Sequence, residues 1–359
     1  MFLLIGFSHG LSEESLSIGF WNVENLFDME NDPNKNDDEF AVGGRKNVTP
    51  EIYNLKIKQS AEVLKDLNVD VIGLCEVENK KVLNDLNFAF KEKNYRIIHY
   101  DSPDSRGIDN ALMFDESKIK ILESKAIPNT LENGYKTRDI LYVKGEYLNE
   151  LIHIYINHWP SNYGGREKAI PKRKTTAKLH LDHITKIQKN NKNAEIILLG
   201  DFNEDPSEEN IQFLKQHGLF SLMERMIGKP KIGTYVYRGK DHLYDQIIVN
   251  KGLQDGVNLS IIPESIEILD LPKYRQQEGN YKHFPFRFWA GNRLLGGYSD
   301  HLAIKVKIKK FEFVFEYLHG TSTPSDRLLA IYYESFVNKF YKMYKPLDFL
   351  LNNIHKCLK

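Results

Sequence analysis

Short apolar runs that stop at an acid recur along this chain. Residues 196–199 are four aliphatic positions in a row, the pattern of a buried strand; Gly200 breaks the run, Asp201, Asn203, Glu204 and Asp205 follow, and Pro206 prevents a return to regular structure. Residues 18–23 (IGFWNV) read the same way, with Asn22, Glu24 and Asn25 at their end, and residues 71–75 run into Glu76 and Glu78. Between them a helical period starts at Glu51, puts Ile57, Ala61 and Leu64 on one face and ends near Asn68. Leu83, Leu86 and Phe90 mark a second helix, and residues 96–100 and 111–114 read as strands. Residues 140–146 and 151–156 read as an antiparallel pair whose second strand leads into Asn157, His158, Trp159 and Pro160. A helix ending near Asn190 follows. Residues 244–250 (YDQIIVN) carry Asp245 at the start of a strand, and residues 302–308 form another, directly after Ser299, Asp300 and His301.

A lone carboxylate at a strand end is ordinarily just solvated. Several strands that finish alike place polar groups together at one edge of an α/β core, where such folds keep their chemistry. Asp201 and Asn203 are two apart, so on an extended end they share a face, one offering a carboxylate and the other a neutral amide. The basic run Lys172, Arg173, Lys174 reads either as the solvated start of a helix or as a phosphate clamp.

Outside these elements, residues 28–44 form an acidic, Asn-rich surface loop, and residues 271–297 form a long loop rich in aromatic residues, Arg and Gly. Within the latter, residues 281–289 (YKHFPFRFW) read as a membrane-docking element or as a packed lid. From residue 310 to 359 the strand-then-acid grammar is gone, and an aromatic, Lys-rich composition predicts a helical appendage. Residues 1–15 are set apart too: an apolar stretch without a basic flank fits either the remnant of a secretory signal or a frayed extension.

Charge narrows the partners. Lys plus Arg and Asp plus Glu number 49 each, so no global field draws the chain to nucleic acid, membranes or acidic ligands, and an anionic substrate needs a local cluster or a metal. The two cysteines, Cys75 and Cys357, cannot make a disulfide framework, and Cys75 reads as a small core residue. No stretch approaches the ~20 apolar residues of a membrane span, and nothing implies a stable protein partner.

Taken in order, WNVEN at 21–25, CEVEN at 75–79, NHWPS at 157–161, GDFNEDP at 200–206, DQIIV at 245–249 and SDH at 299–301 resemble the motifs of the endonuclease/exonuclease/phosphatase (DNase I-like) superfamily over roughly residues 16–309. The resemblance implies an α/β (α+β) four-layer sandwich, two packed mixed β-sheets flanked by helices. It implies that Glu76 is the main ligand of Mg²⁺ or Mn²⁺, that Asn22 and Glu24 lie beside the metal, and that Asp300 completes the shell. Asp201 and Asn203 would face the scissile phosphate, and His301 would be a second essential group with its tautomer fixed by Asp245. Which group is base and which is acid stays open.

His158 makes the chain resemble the members that use two catalytic histidines, and Asp109 is the candidate carboxylate partner for it in the substrate site. Arg138, Arg166 and Arg173 are candidate phosphate contacts, through the planar fork of donors that arginine presents. The expected activity is divalent-metal-dependent phosphodiester hydrolysis on nucleic acid. The alternatives are a sphingomyelinase-like or inositol-phosphate hydrolase, with a phospholipid or inositol phosphate as substrate, and a non-catalytic binding module. The last is disfavoured because every expected catalytic position holds a competent residue.

Overall fold

Two six-stranded sheets pack face to face, each covered on its outer side by helices. The computed structural model describes residues 7–229 and 231–315. In chain order the elements are β1 (Phe7–Leu26), α1 (Pro50–Leu67), β2 (Val71–Val77), α2 (Lys80–Ala89), β3 (Arg96–His99), β4 (Asp109–Phe114), β5 (Lys120–Ile127), β6 (Ile140–Tyr147), β7 (Glu150–His158), α3 (Arg166–Asn190), β8 (Glu195–Asp201), α4 (Glu209–Gln216), β9 (Leu219–Ser221), β10 (Tyr235–Tyr237), β11 (Lys240–His242), β12 (Asp245–Asn250), β13 (Asn258–Ile268), β14 (Trp289–Ala290), β15 (Arg293–Leu294) and β16 (Ile304–Phe315). One sheet has the order β13-β16-β1-β2-β4-β3 and the other β5-β6-β7-β8-β12-β9, with β1–β2 and β7–β8 parallel at their centres.

The two-residue period of the strands sorts side chains between layers. From β1, Leu16, Ile18 and Phe20 enter the core between the sheets while Trp21 and Val23 face the layer of α1 and α2. From β8, Ile197 and Leu199 enter the central core while Ile196 and Leu198 face α3. Strands buried on both faces must be apolar throughout, which is why the central ones read as continuous runs. The helix foreseen from Glu51 is α1, capped by Thr49, whose side chain accepts the Ile52 N–H, and closed at Asn68 in the left-handed region (φ 45°).

Several elements escape the apolar pattern. β5 lies at a sheet edge with mostly exposed or half-exposed positions, so Lys and Glu interrupt it. β13 is an edge of the other sheet, broken by Pro263 and a register shift between Ile262 and Glu267. The strand expected over residues 302–308 extends through Phe315, so residues 310–315 of the supposed appendage are strand, and the rest of that helical tail lies outside the described residues. Residues 7–15 of the presumed N-terminal extension likewise belong to β1, and residues 1–6 lie outside the described residues. The unit Gly10–Glu312 contains everything that follows. No described helix is long and apolar enough to cross a membrane.

Candidate active site

The strand registers bring the polar ends together. Asn22 pairs with Cys75 between β1 and β2, His158 with Asp201 between β7 and β8, and Asp201 with Asp245 between β8 and β12. Just beyond, the backbone turns sharply: Glu24 (φ 53°), Asn25 (φ 55°), Glu76 (φ 61°) and Asn203 (φ 51°) all adopt the left-handed region. Non-glycine residues held there are strained, and such strain concentrates at functional sites. Gly200 lets β7 and β8 approach closely, since a Cβ there would stand 2.5 Å from the Asn157 Cβ and 2.6 Å from its carbonyl oxygen.

Three side chains converge on one oxygen of the Asp201 carboxylate. Asn22 Nδ2 donates to Asp201 Oδ2 at 3.2 Å, joining the two sheets. His158 Nε2 lies 3.7 Å and His301 Nε2 3.8 Å from the same oxygen, and His158 Nε2 is also 3.8 Å from Glu76 Oε1. His301 Nδ1 lies 2.7 Å from Asp245 Oδ2, so the expected histidine–carboxylate pair is present. The backbone of His301 is held as well: its N–H donates to Ser299 Oγ (3.0 Å), and its carbonyl accepts from Trp21 Nε1 (3.2 Å). Asn203 donates its backbone N–H to Asp201 Oδ1 (2.9 Å) and its amide to the Trp159 carbonyl (3.2 Å).

Burial sets the charges. It pushes Asp201 up to about 7, opposed by His301 and assisted by Asp245 and Glu76. Burial alone would lower His301, but Asp245 and Asp201 outweigh it and hold the imidazole well above its ordinary value. His158 is driven well below the ordinary value by burial, with Arg138, Arg106 and His301 adding to the effect. The two histidines are thus biased oppositely, His301 toward its charged form and His158 toward its neutral form.

The donor set fits a hard divalent cation. Glu76 accepts the Asn25 N–H with Oε2 (3.0 Å) while Oε1 faces His158, and Asp201 adds a second carboxylate on the other side of that ring nitrogen; Asn22 Oδ1 accepts the Glu24 N–H (3.0 Å). Zinc-type Cys ligation is absent among the described residues, because Cys75 is a buried free thiol.

Other expected site residues are placed differently. Glu24 is 2 % exposed, and both its oxygens are taken by backbone, accepting from Phe288 N–H (2.6 Å) and Trp289 N–H (3.0 Å). Burial, with Asp300 adding, raises it to about 7 against the pull of Lys56 and Arg287. It pins the 286–289 segment to the end of β1 rather than facing Glu76. Asp300 accepts from Arg287 Nη2 at 2.8 Å. Asp109 meets His99 Nε2 (3.2 Å) and the Ser102 N–H (2.9 Å), not His158, whose Nδ1 has no partner. With Asp101 it forms a separate three-residue group in which one ligand atom of each lies within 4.8 Å of the others.

Two of the three candidate arginines are buried rather than open to a substrate. Arg173 is fully buried, donating Nε to Glu204 Oε1 (2.7 Å) and Nη1 to Pro160 O (3.1 Å) and Asn162 Oδ1 (3.0 Å). Arg138 is buried too, with Nη2 on Trp159 O (2.7 Å) and Nη1 on Asp104 Oδ2 (3.3 Å) and Thr137 Oγ1 (2.9 Å). Arg166 is exposed and pairs with Glu208 at 2.8 Å. Phe288 and Trp289 of the aromatic stretch are core residues, while Tyr281 at its start is 59% exposed.

Three residues with no local signal complete the surroundings. Lys56, 4 % exposed, donates to Val23 O (2.6 Å) and Tyr298 O (2.8 Å), tying the end of β1 to the segment before His301. Arg287 sits between Glu24 and Asp300, and Tyr235 stacks on His301 with ring centres 4.7 Å apart.

The model of the Endonuclease/Exonuclease/phosphatase family matches residues 17–310. A comparison with curated proteins returned no match. Among solved structures, the human Nocturnin catalytic domain with bound sulfate is similar with a TM-score of 0.55 and 17% identity, over 85% of this chain and 97% of that one. D. rerio TDP2 complexed with a single-strand DNA product is similar at 0.54 and 15% identity, over 82% and 99%. A Bacteroides thetaiotaomicron mannosyl-6-phosphatase is similar at 0.53 and 18% identity, over 82% and 99%. At these identities the likenesses speak for the fold alone, two packed mixed sheets flanked by helices.

Proposed function

The chain belongs to the endonuclease/exonuclease/phosphatase family of phosphoester hydrolases, and from that premise we propose that it is a divalent-metal-dependent phosphodiesterase acting on nucleic acid. The observation that carries this reading is the convergence of Asn22, His158 and His301 on one oxygen of Asp201, with Glu76 beside them. Glu76, with Asn22 adjacent, is where Mg²⁺ or Mn²⁺ would be held, to neutralise charge on the phosphate. Asp201 orients the attacking water and takes up its proton. His301, charged and backed by Asp245, faces the same point and offers its Nε2 proton to a phosphate oxygen or the leaving group. Asn203 is held at the phosphate side by its contacts to Asp201 and Trp159, and neutral His158 completes the polar wall.

The single-strand DNA product in the D. rerio TDP2 structure supports nucleic acid as the substrate class. A second reading, phosphomonoester hydrolysis, is favoured by the mannosyl-6-phosphatase likeness. The test is a side-by-side assay with Mg²⁺ on plasmid DNA, a single-stranded oligonucleotide, sphingomyelin, inositol polyphosphates and a sugar phosphate. Cleavage of nucleic acid is the expected result. Release of phosphate from monoesters, with nucleic acid left intact, overturns it.

A further inference from the structure

The β10–β11 hairpin is built onto the catalytic cluster at its base and carries unneutralised cations at its tip. At the base, Thr234 accepts the Leu302 N–H with its carbonyl (2.8 Å) and the Asp245 N–H with Oγ1 (3.1 Å). Asp205, in the loop after β8, clamps the other strand through His242 Nδ1 (2.8 Å) and the Leu243 N–H (2.6 Å). Tyr235 lies against His301 with rings 28° apart, and Tyr244 stacks on the far side of Tyr235 with centres 5.5 Å apart. The hairpin is therefore oriented by the same residues that orient the site.

The register pairs Tyr235 with His242, Val236 with Asp241 and Tyr237 with Lys240. Alternation puts Tyr235, Tyr237, Lys240 and His242 on one face and Asp241, the hairpin's acid, on the other. The face that begins at His301 thus continues outward to an exposed tyrosine and an exposed lysine, roughly 6.6 Å further along the strand. Tyr237 is 51% exposed, and the Arg238 guanidinium stands over its ring at 5.2 Å. Arg238 and Gly239 form the two-residue turn with φ of 50° and 79°, the geometry that favours Asn-Gly or Gly-Gly, so an arginine is held at the tip in a conformation its side chain disfavours. Lys229 and Lys231 lie exposed just before the hairpin. This chain has no net charge, so attraction for a polyanion has to come from local clusters such as this one.

We propose that the β10–β11 hairpin is a substrate-gripping finger: Tyr237 stacks on the base of a single-stranded nucleotide next to the scissile phosphate, and Arg238 and Lys240 hold the adjoining phosphate. The inference rests on the nucleic-acid reading above. A stacked aromatic with flanking cations suits single strands because every base offers a π-face and every linkage a charge. Tyr235 has a different part, as the positioning residue that joins this finger to His301.

The test compares Tyr237→Ala, Tyr237→Trp and the double variant Arg238→Ala/Lys240→Ala with the unmodified chain. Each is assayed on a short single-stranded oligonucleotide and on bis(4-nitrophenyl) phosphate, a diester with no base or second phosphate. For Tyr237→Ala the ratio of kcat/KM on the oligonucleotide to that on the small ester falls by roughly 5- to 150-fold, mostly through KM, and Tyr237→Trp restores it. The double variant lowers the same ratio and flattens the log–log salt dependence of oligonucleotide binding by about 0.7, the share of the one phosphate no longer neutralised. If the unmodified chain cleaves the oligonucleotide and the ratio does not move, the finger is refuted while the nucleic-acid reading stands. Equal losses on both substrates refute it too, because they mean that the hairpin only supports His301. Hydrolysis of the small ester with no cleavage of the oligonucleotide refutes the nucleic-acid reading and the finger with it.

Discussion

Removing Glu24 separates two roles for an acid at the end of β1, metal ligand or structural latch. The structure gives it the second. Its oxygens accept the Phe288 and Trp289 N–H groups, Arg287 Nε lies 3.5 Å away, and buried Lys56 faces it. Glu24→Ala leaves two buried backbone donors unpaired at about 1–3 kcal/mol each, so roughly 2–6 kcal/mol of stability is lost. It also strips a counter-charge from Lys56, which burial already lowers to about 8 against the opposing pull of Glu24 and Asp300. In a domain of this size, melting falls by roughly 1.5–2 °C per kcal/mol. Glu24→Gln keeps one acceptor oxygen and so loses about half as much. The assay is thermal unfolding in chelator and in saturating Mg²⁺, beside calorimetric titration of Mg²⁺ or Mn²⁺. The expected outcome is a lower melting temperature in both conditions, with metal affinity in Glu24→Gln close to that of the unmodified chain. Unchanged melting in chelator combined with lost metal binding would show that Glu24 is a ligand, and the latch would be wrong.

Glu76→Gln removes charge at constant size, so metal binding measured by calorimetry and Mg²⁺-dependent hydrolysis should collapse while the far-UV spectrum and melting in chelator persist; full activity sinks the assignment. His158→Ala and His301→Ala should each lower turnover by roughly 10²- to 10⁴-fold, and less than additively together; normal turnover in His158→Ala ends the two-histidine reading. Arg173→Met breaks a fully buried ion pair and strands Glu204, costing about 3–5 kcal/mol by denaturant unfolding without touching metal affinity. Glu195 is buried with an unpartnered Oε2, and burial, with Asp255 and Glu150 adding, raises it from 4.5 to about 9. A raised acid holds its proton when folded, so between those pH values the unfolded chain binds fewer protons and stability falls by up to ~1.4 kcal/mol per pH unit; Glu195→Gln should flatten that slope in melts from pH 5 to pH 9, and an unaltered slope refutes it. A chain ending after Phe315, which keeps β16 whole, should retain hydrolysis; a folded but inactive truncation would mean that the tail helps form the site.

The strand-end acids were legible because a buried strand announces itself by composition, and a motif that follows it needs only local sequence to be placed. Ile196, Ile197, Leu198 and Leu199 fix where Asp201 emerges, and the parallel register with β7 then sets His158 opposite it. What an acid touches beyond its own strand is a different quantity. Glu76 and Glu78 sit two residues apart at the end of the same strand, yet only Glu76 reaches the cluster. Its left-handed backbone breaks the alternation, and Glu78 turns to the Asp28 N–H at 2.6 Å, where burial raises it to about 8. Glu24 differs from Asp201 in the same way: its partners, at 288 and 289, are more than 260 residues away, and no local pattern records them.

Arg173 shows that part of the misreading was avoidable. A basic triplet at residues 172–174 suggests a phosphate clamp only if the three side chains share a surface, and on a helix they do not. Arg173 lies in period with Ala169, Thr176, Ala177 and His180, at separations of four, three, four and seven, and all of these are buried. The stripe marks Arg173 as inward-facing before any coordinates are seen. A buried guanidinium then demands a carboxylate. Glu204, in the loop beyond the strand under this helix, supplies it, and its second oxygen accepts the N–H of Asn210 at the start of α4. The acid that reads as an extra member of the catalytic string is therefore the partner that holds α3 and α4 onto the sheet. Of the four polar side chains at residues 201–205, Asp201 belongs to the cluster and Asn203 donates to the Trp159 carbonyl, while Glu204 and Asp205 anchor α3 and the β10–β11 hairpin. Clusters of acids after a strand thus divide by what helix periodicity places above them, and that division is testable wherever a buried cation lies in register with small and apolar neighbours.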